Sequence, residues 1–366
     1  MSLDVTLQTD PGAISSDPVA EARRQVEICN ACRYCEGFCA VFPAITRQKV
    51  FADGDITQLA NLCHNCRGCY YACQYTAPHA FDLNLPAALG AARAESWERF
   101  AWPGGLAALF QRRGTALAAA LVLACALMFL AVAALPGGGE GFYAYLGHGA
   151  MVLIFLPAFL LPLAALGIGL RRYWSETGGG AVTLADIGAA ARSAATLGNL
   201  GGGQGQGCNF EAEERFSDER RMAHHAVMWG FLLCFASTVS GTILHYAFAS
   251  PAPYGFFSAP KLLGVPGGVL LTLGCAGMLV LKGKADPALG TPGRASGEWA
   301  FVWLLGGVGL SGLLLYGLRE SVLTGPLLAL HLGSVLTLFL LTPYSKMAHG
   351  FYRFAALLRE AQAGRR

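Results

Sequence analysis

Apolar positions fall along this chain in long unbroken runs, not in the short periodic stretches of a soluble domain. Six runs are long enough to cross a bilayer, which takes about 20 apolar residues. They cover 115–135, 149–170, 226–249, 262–281, 299–318 and 325–345, and no Asp, Glu, Lys or Arg interrupts their cores. The pattern predicts six membrane-spanning helices. Pro266 and several glycines break the 262–281 run, but such residues are tolerated in a span when neighbouring helices cover the freed backbone. Polar positions collect in the first 113 residues and in 171–224.

Composition agrees with the pattern. The chain is 54% hydrophobic and 13% charged, against about 25% charged in ordinary globular domains. The net charge of +3 comes without a basic patch interleaved with aromatics, so nucleic acid is not an expected partner; the lipid bilayer is. Lys and Arg set the orientation. Arg112, Arg113, Arg171, Arg172, Arg192, Arg220, Lys282, Lys284, Lys346 and Arg353 fall on one side of the spans, and the opposite loops hold Lys261 and Arg319. The first side is therefore expected to be cytoplasmic, with both termini on it. This predicts a multi-pass protein of the bacterial inner (cytoplasmic) membrane. The expected organisation is a disordered arm (1–18), a cytoplasmic cysteine-rich domain (19–113), a six-helix membrane domain (114–345) with a cytoplasmic loop (171–224), and a cytoplasmic tail (346–366). The glycine-rich stretch from Gly201 to Gly207 lacks the Lys-Ser/Thr of a phosphate loop and reads as a flexible linker.

Eight of the twelve cysteines lie in two runs of one spacing: Cys29-x2-Cys32-x2-Cys35-x3-Cys39 and Cys63-x2-Cys66-x2-Cys69-x3-Cys73. That spacing suits [4Fe–4S] clusters. Three thiolates wrap one cluster, and the fourth usually ligates the other. Cys29, Cys32, Cys35 and Cys73 are assigned to one cluster, and Cys63, Cys66, Cys69 and Cys39 to the second. The proline that usually follows the fourth cysteine is displaced to Pro43 and Pro78. Zinc is the competing reading, but zinc motifs usually pair two C-x2-C knuckles. A disulfide framework is not expected, because no secretory signal peptide precedes the runs. With eight thiolates in hand, His64 and His79 are not needed as ligands. Arg33, Arg47, Lys49 and Arg67 read as groups that balance cluster charge or meet a partner. Cys208 is given no ligand role, and Cys125, Cys234 and Cys275 read as small packing residues.

Histidines at membrane depth are functional candidates. His224, His225 and His349 lie at cytoplasmic span ends, and His148, His245 and His331 at the opposite ends. His331 and His349 are 18 residues apart, about five helical turns and about 27 Å along one face. His224 and His245 are 21 apart, about 60° off a common face and about 31 Å in height. His225 is worse placed, about 200° from His245. Pairs from the two spans, His224 with His349 and His245 with His331, are suited to one or two b-type haems. His148 is an alternative ligand or part of a quinone site. Pro343 weakens the last span's arithmetic, since proline kinks or ends a helix. No C-x-x-C-H occurs, so covalent haem is not expected.

These residues resemble a known family. The runs Cys29-Asn-Ala-Cys-Arg-Tyr-Cys-Glu-Gly-Phe-Cys-Ala-Val-Phe-Pro43 and Leu62-Cys-His-Asn-Cys-Arg-Gly-Cys-Tyr-Tyr-Ala-Cys73 carry the likeness, with His224-His225, His245-Tyr246 and His331 through Pro343-Tyr344 to His349-Gly-Phe-Tyr-Arg353. They are similar to the tricarballylate/citrate utilization protein B family (TcuB or CitB), and to the membrane half of the cobalamin-pathway protein CobZ. The resemblance implies a membrane partner that reoxidises a cytoplasmic FAD-dependent dehydrogenase of the tricarballylate type and passes electrons to the quinone pool. The last span also resembles, in layout only, the gamma subunit of respiratory nitrate reductase. The expected fold is mainly α: an N-terminal ferredoxin-like 2[4Fe–4S] dicluster domain followed by a six-span transmembrane helical bundle resembling a b-type cytochrome. Service to cobalamin-ring oxidation or another flavin dehydrogenase is one alternative. A membrane redox sensor without turnover is another. No residue pair reads as an acid–base catalytic couple, and a stand-alone quinone or metal reductase would need a flavin or nicotinamide site that the sequence does not offer.

Overall fold

Asp17 starts the first helix. Its carboxylate accepts from the Val19 N–H at 2.9 Å, and Pro18 occupies the first turn, where its missing N–H leaves no bond unmade. The structure is a computed structural model that describes residues 16–134, 143, 145–202, 207–209, 215–290 and 294–365. Most of the expected N-terminal arm and part of the glycine-rich stretch lie outside the described residues; Pro18, within that arm, already belongs to a helix.

The cysteine-rich domain is built from α1 (Pro18–Cys32), α2 (Val41–Thr46), α3 (Asp53–Leu62), α4 (Gly68–Tyr71) and α5 (Leu85–Phe100). Its core gathers Ala22, Val26, Ile45, Ile56, Leu59, Leu62 and Leu89. Among the described residues there is no strand, only one isolated bridge between Cys208 and Ser217.

Six helices are long and apolar enough to cross a membrane: α6 (Leu106–Ala133), α7 (His148–Glu176), α9 (Glu219–Ala247), α10 (Ala259–Lys284), α11 (Ala295–Gly317) and α12 (Thr324–Leu341). They answer the six apolar runs one for one. Pro266 sits inside α10 without breaking it, and α7 carries Pro157 and Pro162. Small residues bring the helices together. A Cβ on Gly230 of α9 would stand 2.4 Å from the Leu271 nitrogen of α10.

Two expectations change. The loop between α7 and α9 contains a helix, α8 (Leu184–Thr196), opened by a reciprocal cap: the Asp186 N–H donates to Thr183 Oγ1, and the Thr183 N–H to Asp186 Oδ2. The C-terminal segment is likewise no simple tail. It forms α13 (Ala348–Ala363), and Tyr352, Ala356 and Leu357 are buried in the same core as the cysteine-rich domain. Gln58 donates to the Ala356 carbonyl at 2.9 Å, Arg47 pairs with Glu360 at 2.6 Å, and Arg359 donates to the Thr177 carbonyl at 2.9 Å. The chain's last helix therefore joins the cysteine-rich head to the end of α7.

The break between α12 and α13 has a direct consequence. α12 stops at Leu341, and residues 342–347 turn the chain ahead of Ala348. His331 and His349 lie on different helices, so the 18-residue common face does not exist. Pro343 explains this, because it cannot continue the helical ladder.

Candidate functional site

The two cysteine runs fold as related loops. The residue after the second cysteine takes a left-handed conformation in both, Arg33 at φ 58° and Arg67 at φ 66°. That turn is uncommon for a residue with a Cβ. All eight thiols are free, and Cys32 is the exposed one.

Their mutual influence follows the crossing. Burial pushes the Cys29 thiol up to about 12, and the next largest influence is Cys73, ahead of Cys35 and Cys32. Cys35, also pushed up to about 12 by burial, feels Cys73 and then Cys32. Cys39 is raised by burial and then by Cys66 and Cys63 of the other run. Cys73 thus lies near Cys29 and Cys35 of the first run, and Cys39 near Cys63 and Cys66 of the second. A cavity of about 250 Å³ is lined by Cys29, Cys32, Cys35 and Cys73, with Cys69 and Tyr70 among its other walls. Among the described residues no three His, Cys, Asp or Glu side chains converge on a single-ion position; the first four thiols line a wider space.

The second loop is covered on its far side by cations. Arg353 Nη2 donates to the Cys63 carbonyl at 2.6 Å, and Arg93 Nη1 to the same oxygen at 2.8 Å. Arg220 donates to the carbonyls of Asn65 at 2.6 Å and His64 at 3.2 Å. His64 is buried, its Nδ1 2.9 Å from the Leu62 carbonyl. Burial holds its pKa well below the usual imidazole range, with Arg353 adding to the effect. Cys208 is buried beside this loop, where Leu197, Leu200 and Cys66 surround it. The neighbouring Asn209 N–H donates to the Cys66 carbonyl at 2.9 Å. Burial first and Cys208 next push the Cys66 thiol up to about 11.

Beyond the arginines, α9 and the start of α13 bring His224 and His349 together. Their ring centres are 6.0 Å apart and their planes lie at 86°. Two imidazoles that flank one metal at about 2 Å each stand about 6 Å apart, centre to centre. His349 Nδ1 meets the Lys346 carbonyl, which fixes the tautomer that presents Nε2. His224 Nδ1 is buried without a hydrogen-bond partner among the described residues. The donor set and spacing are compatible with one metal ion held between the two imidazoles. The Lys346 side chain pairs with Glu298 at 2.5 Å, and Lys282 with the same carboxylate at 2.7 Å. This anchors the turn before His349 to α10 and α11.

The far-side histidines divide differently from expectation. The nearest ring to His245 is His148, 4.2 Å away and stacked at 22°, while His148 Nε2 meets the Tyr246 hydroxyl at 3.0 Å. His331 bonds through Nδ1 to Ser311 Oγ at 3.1 Å on α11. At 4.2 Å the His148 and His245 rings touch, which is closer than two ligands of one iron. His225 has no ring contact with either pair among the described residues.

Sequence reasoning passed over Arg220 and Arg353. A signal was present. Arg220 precedes His224 by four residues and Arg353 follows His349 by four, and on a helix that spacing puts two side chains on one face.

Six membrane-length helices carrying a helical head with two ferredoxin-type cysteine loops define a multi-pass membrane protein with an iron–sulfur domain. Residues 103–366 match the family model described as citrate utilization protein B. Residues 22–98 match the one described as citrate utilization protein B Fer4-like domain. The chain is 42% identical over 359 residues to citrate utilization protein B of Escherichia coli, covering 96% of this chain and 94% of that relative. It belongs to the citrate utilization protein B family. No solved structure matches.

Proposed function

We propose that this chain is the membrane electron-transfer subunit for a soluble FAD-dependent dehydrogenase of the tricarballylate type, and that it delivers electrons to quinone. The clusters and haem, when bound, supply one-electron carriers between a two-electron flavin and the membrane. Cys29, Cys32, Cys35 and Cys73 hold one [4Fe–4S] cluster, and Cys63, Cys66, Cys69 and Cys39 the other. His224 and His349 hold a b-type haem. The 4.2 Å contact of His148 with His245 favours one haem over two.

One observation carries the reading. The loop of the second cysteine run is tied by Arg353 and Arg220 to the two helices that bear His224 and His349. These bonds join the second thiol loop to the helices of the imidazole pair, and Cys32 is the exposed thiol of the eight. The order supported is entry at the first run, passage through the second, and exit toward the bilayer. The Lys and Arg distribution supports a cytoplasmic head with cytoplasmic termini, the side on which a soluble flavoprotein would meet it.

The test is a redox titration of the purified protein with iron, acid-labile sulfide and haem quantified. The expected result is eight iron atoms in clusters and one haem per chain, since each cubane holds four. Zinc in place of iron and sulfide would overturn the reading.

A further inference from the structure

The glycine-rich stretch reads from the sequence as a linker, but its described ends close on one another. Gly202 and Gly207 take left-handed backbone at φ 68° and 98°, a region that suits glycine. A Cβ on Gly202 would overlap the Gly207 carbonyl, and one on Gly207 would overlap the Ser217 carbonyl. The Gly207 N–H donates to the Gly201 carbonyl at 2.9 Å. The glycines therefore permit a close approach that fixes the next residue. Cys208 exchanges both backbone bonds with Ser217, at 2.9 and 3.0 Å, and the Asn209 N–H ties the segment to the Cys66 carbonyl at 2.9 Å.

Cys208 is 1% exposed, and it packs with Leu197, Leu200 and Cys66. Of the charges acting on the Cys66 thiol, Cys208 comes ahead of Cys63, a member of the same run. Its surroundings are not those of a purely apolar packing residue. The Cys208 thiol donates to the Leu200 carbonyl at 3.1 Å. Burial raises its pKa, while Arg220 opposes this by charge and by a hydrogen bond. A cation beside a thiol favours the thiolate, the nucleophilic form. Asn209 is equally buried, and its Oδ1 has no hydrogen-bond partner among the described residues. That oxygen lies 3.5 Å from where a Cβ on Gly68 would stand, between Cys66 and Cys69. The whole segment is thus built against the second cysteine loop.

The two clusters already use eight thiols, so a ninth beside Cys66 has no place as a ligand. Cys66 is partly exposed and Cys208 is buried behind it. That is the order of a thiol that meets an oxidant and a resolving thiol that follows.

We propose that Cys66 and Cys208 form a redox pair that closes to a disulfide when the second cluster is absent. The inference rests on the assignment of Cys66 as a cluster ligand, because ligation is what keeps the pair open. The oxidant is a peroxide. The Cys66 thiolate attacks one oxygen of hydrogen peroxide, the O–O bond breaks, hydroxide leaves, and Cys66 becomes a sulfenic acid. The Cys208 sulfur then attacks the Cys66 sulfur; the S–S bond forms, and the S–O bond breaks with loss of water. In sum, two thiols and one hydrogen peroxide give one disulfide and two waters. A dithiol reverses this by a two-electron reduction. The disulfide shields the emptied site from irreversible oxidation and leaves it recoverable for a new cluster. Transient disulfides of this kind are the ones that cytosolic proteins form.

The test uses the full chain in detergent, freed of iron by chelation under a dithiol and then desalted without air. One equivalent of hydrogen peroxide is added, the remaining thiols are alkylated, and the unreduced tryptic digest is mapped by mass spectrometry. Peptide 193–215 carries Cys208 alone, and peptide 50–67 carries Cys63 and Cys66. The expected product links these two peptides, with fragmentation placing the bond on Cys66, and a dithiol abolishes it. Cys66 joined to Cys39, Cys63 or Cys69, with Cys208 alkylated throughout, would overturn the proposal.

Dimedone, which traps sulfenic acids, gives a second readout. Cys66 is expected to stay unlabelled in the wild type and to take up the label in Cys208→Ser. Equal labelling in both also overturns the proposal, and the wild-type map stands whether or not the variant folds. The cluster-loaded chain separates this proposal from the reading beneath it. Peroxide is expected to produce the link there only as iron is released. A link formed with about eight iron atoms retained, four to each cubane, would defeat the assignment of Cys66 as a ligand, whereas a link missing from the metal-free chain defeats the redox pair alone.

Discussion

His224 and His349 face each other across a helix junction, with ring centres 6.0 Å apart and ring planes at 86°. One comes from a membrane-length helix and the other from the first turn of the C-terminal helix. Their spacing leads to the first prediction. His349→Ala and His224→Ala are each expected to abolish the b-haem α band in the reduced-minus-oxidised spectrum, and His225→Ala to leave it in place. Retention of the band in both of the first two variants would reject the ligand pair. Loss of haem in His148→Ala or His245→Ala as well would call for a second haem on the far side.

The crossed cysteine arrangement makes a separate prediction. If Cys73 completes the first run, Cys73→Ser and Cys35→Ser perturb the same EPR signal. Cys39→Ser then perturbs the other, together with Cys66→Ser. An uncrossed arrangement pairs Cys39 with Cys35 instead. EPR spectra of the four variants decide between them.

Much of this layout is readable from the sequence, and the exceptions share a physical cause. Charge-free runs gave all six spans, because the bilayer imposes a length that few other settings require. The cysteine spacing suggests the crossed assignment proposed above, because one loop supplies only three ligands. The face shared by His331 and His349 failed because Thr342-Pro343 ends α12 before α13 begins. The pairing of His148 with His245 was hidden for another reason: it joins helices whose relative position no local pattern encodes. The packing of α13 into the head was equally out of reach. Its buried face of Tyr352, Ala356 and Leu357 announces an amphipathic helix but not the surface it covers.

Tyr352 supplies a test of that packing. It is 2% exposed and touches Trp97, Phe100 and Tyr173, so it lies where the head, α7 and α13 meet. Deleting a buried aromatic side chain typically costs roughly 3–5 kcal/mol. Tyr352→Ala is expected to lower the stability of the head by about that amount, followed as loss of cluster absorbance in denaturant. An unchanged midpoint would mean that α13 does not pack there.

The buried thiols predict a pH dependence with a definite sign. Cys29 and Cys35 rise from 9.0 to about 12 in the metal-free fold. The folded state therefore holds their protons more tightly than the unfolded chain. Their contribution to stability is complete below about pH 9 and is lost as pH rises through about 12. Iron replaces those protons, so a cluster-loaded head does not share this dependence. Thermal unfolding of the metal-free protein is expected to shift downward between pH 9 and pH 11, while the loaded protein shifts less. Equal shifts in both forms would show that the thiols are not the source.

The proposed orientation across the bilayer rests on charge and on redox chemistry, and these are independent reasons. Arg171, Arg172, Arg192, Lys282 and Lys284 flank spans on the side of the cysteine-rich head, whereas the turn between α11 and α12 carries Arg319. Basic loops stay in the cytoplasm, and cysteines remain reduced there. Alkaline phosphatase fused after Glu320 is expected to be active, since that enzyme needs export to form its disulfides. The same enzyme fused after Gly364 is expected to be inactive, and a green fluorescent protein at that position to be fluorescent. The reverse pattern would place the thiol loops in an oxidising compartment and remove a cytoplasmic flavoprotein from reach of Cys32, which would defeat the electron-entry route as well as the topology.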